Sequence, residues 1–232
     1  MDKRKKSKHP MAGTNLSGAD TIIQVLADEG VKTVFGYNGG QILPTYDAFF
    51  RYNAARSRDD QLELVVPANE QGAGFMASGY ARATGRVGVF MVTSGPGATN
   101  CVTPIRDCMA DSIPVVLIAG QVPRPSIGTD AFQEAPVYNI MSACAKHVFL
   151  VSDETKLEAT IRTAFRIARS GRPAPSSSIF PRTSRTSSCR TSATANSNSK
   201  ATTAACASWR RAVCRRSTSN SSSGCWRSRA AP

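Results

Sequence analysis

The chain of 232 residues carries 29 Lys and Arg against 16 Asp and Glu, a formal net charge of +13, but the excess sits at its two ends. Residues 1–10 hold five basic side chains and one acid, residues 173–232 hold ten basic side chains and no acid, and the stretch between holds 14 and 15, which argues against a nucleic-acid-binding body. A run of about 18 apolar residues, as a membrane-spanning helix needs, is not found, and the seven cysteines lack the spacing of a metal site or a disulfide frame; a cytoplasmic protein with no nucleic-acid or membrane partner is expected.

Taken in chain order, residues 1–13 form a basic head with no apolar run behind it, expected to be disordered. Ser17 can cap a helix with Asp20 three residues on; Ile22, Ile23 and Leu26 give its apolar stripe and Gly30 ends it. Val31 to Phe35 then reads as strand, Gln41 to Phe50 as helix and Leu62 to Val66 as strand. Gln71 to Thr84 is helical and closed by Gly85, and Val87 to Val92 has the continuous apolar character of a strand buried on both faces. Ala98 to Ala110 reads as helix, and Val115 to Ile118 and Val148 to Val151 as strands. Thr155 to Arg169 spaces Leu157, Ile161 and Phe165 along one helical face before Gly171. Alternating strands and helices predict a doubly wound, parallel α/β domain over residues 14–175.

Ligands of such folds bind outside the carboxyl ends of the strands, where the βα turns lie. Gly39-Gly40, Glu70 and Gly95-Pro96-Gly97 fall on these turns. Glu70 by itself also fits an ordinary first-turn acid that complements a helix dipole, and each glycine by itself fits an ordinary turn. Their common edge points to a site.

Five segments extend that pattern: Tyr37-Asn38-Gly39-Gly40, Asn69-Glu70-Gln71-Gly72-Ala73, Thr93-Ser94-Gly95-Pro96-Gly97-Ala98-Thr99-Asn100, Gly120-Gln121-Val122-Pro123 and Gly128-Thr129-Asp130-Ala131-Phe132-Gln133-Glu134. Together, from about Ser17 to Pro175, they resemble the large catalytic subunit of the acetolactate synthase family. The resemblance implies thiamine diphosphate as cofactor, with Glu70 as the carboxylate that bonds the ring nitrogen N1′ and activates it, and Gln133 beside the thiazolium and the substrate. Tyr37, Gly39, Gly40, Ser94, Gly95 and Gly97 would line the same pocket. It further implies Ser112 and Arg172 as contacts to a structural FAD, Lys146 near the substrate channel, Mg²⁺ at the diphosphate, small 2-oxo acids as substrates, a homo-oligomer and a regulatory subunit. Asn38, Asn69 and Pro125 depart from the family pattern, which usually has Pro, His and Arg there. These departures leave the acceptor open, and glyoxylate carboligase shares the fold and the glutamate.

Past Pro175 the composition changes to Ser, Thr, Arg and Ala, and residues 176–232 read as a low-complexity, disordered tail. Where the family continues as Val-Val-Val-Asp-Phe-Pro-Lys-Asp, the chain has Ser176-Ser177-Ser178-Ile179-Phe180-Pro181-Arg182-Thr183. A one-base regrouping of compatible codons converts one into the other. The expectation is therefore a frameshift near Pro175, a sheet without its sixth strand and with an exposed edge, no metal-binding domain, and a chain that is inactive by itself, a non-catalytic remnant.

Overall fold

The computed structural model describes residues 15–182 and the backbone of residues 188–190. The expected disordered head and nearly all of the expected tail lie outside these residues.

In chain order, β1 (Asn15–Ser17) leads into α1 (Gly18–Asp28), followed by β2 (Thr33–Gly36), α2 (Leu43–Ala54), β3 (Glu63–Val65), α3 (Glu70–Thr84) and β4 (Gly88–Val92). The chain continues through α4 (Pro96–Thr99), α5 (Val102–Asp111), β5 (Val115–Gln121), α6 (Val137–Ser142), β6 (His147–Leu150), α7 (Leu157–Arg169), β7 (Ser176–Pro181) and β8 (Ser188–Arg190). Six strands form one sheet in the order β3-β2-β4-β5-β7-β6, every pair parallel, while β1 and β8 pair antiparallel apart from it. This is the expected doubly wound α/β architecture.

Local chemistry explains the helix limits. Ser17 caps α1 by accepting the Asp20 N–H at 3.1 Å, and Asn69 caps α3 by accepting the Gly72 N–H at 2.7 Å. Gly85 closes α3 in the left-handed region at φ 70°. Helices cover both sides of the sheet. Alternate residues of a strand point to opposite faces: Val89 and Met91 join Ile22, Leu26, Phe49, Ile161 and Phe165 in the core beneath α1, α2 and α7. On the other side α3 and α5 pack so closely that a side chain at Gly74 would strike Pro104 at 2.5 Å and approach the Phe90 ring at 3.4 Å.

The structure corrects three expectations. Ser176–Pro181 is not tail but β7, the sixth strand, paired with β5 on one side and β6 on the other. The sheet is therefore complete past residue 175, and its edges are β3 and β6. The helix expected from Ala98 to Ala110 is two helices, α4 and α5, interrupted at Asn100 and Cys101. The helix α6 carries too little periodicity in six residues to have been expected.

Candidate functional site

Because all six strands are parallel, the turns after β2, β3, β4 and β5 emerge at one edge of the sheet. Glu70 opens α3 directly after the β3 turn and is buried, with 9% of its surface exposed. The turn after β4 returns beneath it. Asn100 donates its side-chain amide to Glu70 Oε2 at 3.0 Å, and Glu70 Oε1 lies against Gly97, 3.3 Å from where a side chain at that position would begin. The same imaginary carbon at Gly97 would strike Thr93 Cγ2 at 2.6 Å, so only glycine leaves the carboxylate its slot.

The sequence-derived residues divide into two groups. Gly39 packs on the Thr93 side chain, Gln41 donates its N–H to Thr93 Oγ1 at 3.3 Å, and Tyr37 donates its N–H to Met91 O at 3.1 Å. Gly40 is open to solvent beside them. Ser94 is fully buried with its hydroxyl unpaired. Gly95 holds φ 54°, and a side chain there would collide with the Gln133 carbonyl at 2.3 Å. Gln133 is itself in the left-handed region at φ 58°. Its loop is held by Glu134, whose carboxylate accepts the N–H groups of Gly128, Thr129 and Ala131. These donors, the Gly128 N–H first, pull the Glu134 carboxyl below its ordinary range. Thus Tyr37, Gly39, Gly40, Glu70, Ser94, Gly95, Gly97 and Gln133 share one edge.

Ser112, Lys146 and Arg172 do not. They precede β5, β6 and β7 and so stand at the amino edge of the parallel sheet, opposite Glu70. Arg172 donates to Ser112 Oγ at 2.8 Å and to the Met109 and Ala110 carbonyls at 2.7 and 2.9 Å, capping α5. Lys146 Nζ donates to the carbonyls of Ile167, Ser170 and Arg172 at 2.7, 2.6 and 2.9 Å. Both cations neutralise the negative ends of helices, a role visible only once the helices are packed.

Charge at the edge is felt by its neighbours. Burial first, then the Glu70 carboxylate, raises both the Tyr46 hydroxyl and the Cys101 thiol above their ordinary ranges. Cys101 is accordingly an inert core residue. Burial pushes the Cys108 thiol up to about 11. Sequence pattern placed Asn100 within a quoted motif without marking it as a partner of Glu70, because its aim depends on the break between α4 and α5. Among the described residues no group of three or more His, Cys, Asp or Glu side chains could hold a metal ion, and no helix is long and apolar enough to cross a membrane.

A buried carboxylate at the head of α3, beside a glycine turn on the ligand edge of the sheet, has the chemistry to bond the aminopyrimidine ring of thiamine diphosphate; the described residues include no cluster that could hold its metal. Residues 16–143 match the family described as thiamine pyrophosphate enzyme, N-terminal TPP binding domain. The chain is 51% identical over 160 residues to the mitochondrial acetolactate synthase catalytic subunit of Saccharomyces cerevisiae and 49% identical over 160 residues to the acetolactate synthase isozyme 2 large subunit of Escherichia coli. It is 51% identical over 158 residues to an acetolactate synthase of Mycobacterium bovis. These alignments cover 69%, 69% and 68% of the chain but only 22%, 28% and 24% of the three relatives. With more than half of its residues matched by that family's model, the chain belongs to the thiamine pyrophosphate enzyme family, whose N-terminal TPP-binding domain it carries.

Proposed function

We propose that residues 15–181 are the ring-binding domain of an acetolactate synthase-type catalytic subunit, an enzyme that decarboxylates pyruvate and joins the remaining two carbons to a second 2-oxo acid. The observation that carries this reading is the buried Glu70 carboxylate at the head of α3, packed on Gly97 at the ligand edge of the sheet. Bound thiamine diphosphate supplies the electron sink for the decarboxylation. Glu70 would hold the proton shared with ring nitrogen N1′, and its low exposure keeps water from competing for that proton. Gly95 lets the Gln133 backbone pass close over the turn, so that Gln133 closes the site near the substrate. Tyr37, Gly39, Gly40, Ser94 and Gly97 would line the ring pocket.

Mg²⁺ and the diphosphate would be held by residues other than those described. An FAD at Ser112 and Arg172 would have to replace the bonds these residues make at the end of α5. A homo-oligomer and a regulatory subunit belong to the same reading, since two of the relatives are named as a catalytic and a large subunit.

Calorimetric titration of thiamine diphosphate with Mg²⁺ into the full chain and into Glu70→Ala tests the proposal. The chain is expected to bind, with the variant at least about tenfold weaker, the scale of a lost hydrogen bond to a charged group. Equal affinities would refute the assignment of Glu70.

A further inference from the structure

The break between α4 and α5 gives Glu70 a partner. Pro96–Thr99 completes a single turn, the Asn100 N–H closes it on the Pro96 carbonyl at 3.1 Å, and α5 starts only at Val102. A continuous helix would keep the Asn100 side chain on the helix surface; the interruption turns its amide back to Glu70 Oε2 at 3.0 Å. The carboxylate then has two distinct oxygens. One is held by a donor, and the other lies against Gly97, whose missing side chain leaves room for it.

Resting on the ring-binding reading above, we propose that Asn100 is a positioning residue, fixing the Glu70 carboxylate in the single orientation that presents Oε1 to a ring nitrogen. The chemistry suits an amide. Its N–H donates to a carboxylate oxygen but carries no charge, so it does not neutralise the group that must attract a proton. An arginine or lysine in its place would form an ion pair and hold Glu70 away from that task. Asn100 is exposed, so its replacement leaves the core intact, and thermal unfolding of the variants verifies this.

The test uses thiamine, which lacks the diphosphate and so reads the ring end alone, titrated into the full chain, Asn100→Ala, Glu70→Gln and the double variant. Asn100→Ala is expected to bind about tenfold more weakly, and this loss is expected to vanish on the Glu70→Gln background. Asn100→Gln, which keeps the amide, is expected to recover part of it. An unaltered affinity in Asn100→Ala beside a weakened Glu70→Gln would overturn the role of Asn100 and leave the ring-binding reading standing. Thiamine affinities indifferent to Glu70→Gln would instead sink that reading. In that case the ¹³C carboxyl resonance of Glu70 decides the positioning role without any ligand: a clear shift in Asn100→Ala supports it, and an unmoved resonance refutes it.

Discussion

Strands β5 and β7 lie side by side in the same sheet, in register from Val116 opposite Ser176 to Gln121 opposite Pro181, and every residue of both is buried. Their side chains could hardly differ more. Where β5 brings Val116, Leu117 and Ile118 into the core, β7 brings Ser176, Ser177 and Ser178, all with unpaired hydroxyls. The difference teaches that backbone pairing on two sides, together with buried Ile179 and Phe180, can carry a strand whose first half contributes no apolar surface. It also locates the weakest part of the fold, since a buried hydroxyl without a partner costs about 1–3 kcal/mol.

The largest expected effect comes from making the two strands alike. Replacing Ser176, Ser177 and Ser178 together by Val removes three orphaned hydroxyls and is expected to raise the unfolding free energy of the full chain by about 3–6 kcal/mol in a urea titration. A loss of stability would mean that the space beside β5 is already full.

Next in size is Gly95→Ala, which contrasts the ligand edge with the sheet centre. It places a carbon against the Gln133 carbonyl in a left-handed backbone, and a loss of about 2–4 kcal/mol is expected by thermal unfolding. A neutral result would show that the Gln133 loop does not rest on this turn.

At the opposite edge, Lys146→Met removes the cation that ties α7 to the entry of β7, with an expected cost of about 1–2 kcal/mol. Lys156→Met, at a side chain 76% exposed, serves as its control and should change stability by less than about 0.5 kcal/mol. Similar losses in both would remove Lys146 from the account of how β7 is held.

The smallest effect is local and depends on pH. The folded-state carboxyl of Glu134 titrates below its ordinary range because backbone N–H groups stabilise its anion. Its contribution to loop order is therefore fully present above that ordinary range and is lost as pH falls through the depressed folded value. Amide shifts of Gly128, Thr129 and Ala131, followed by NMR from pH 7 downward, should stay constant until acid well below neutrality and then move together. Movement near neutrality would contradict the hydrogen-bonded carboxylate.

Legibility in the sequence followed the reach of each interaction. The cap at Ser17, the stripe of Ile22, Ile23 and Leu26, the stop at Gly85 and the place of Glu70 are set by neighbours in the chain, and all were readable. Strand β7 was not, because serine is poor at covering a half-buried pleated surface and its strand character comes from the two ladders around it. Asn100 escaped notice for a related reason: its role is fixed by a helix break that only the packed turn imposes. The cationic ends of Lys146 and Arg172 likewise find their carbonyls only after α5 and α7 have docked, so a resemblance could suggest ligands for them but could not show their helix caps.

The most direct test of the central claim, that Ser176–Pro181 is the sixth strand of this sheet, is native-state hydrogen exchange of the amides of residues 177–180 against those of 116–119. The account predicts protection in both strands, weaker in β7 than in β5 because of its orphaned hydroxyls. Exchange of the 177–180 amides at the rate of a free peptide, with 116–119 still protected, would contradict it and return the end of the folded domain to Pro175.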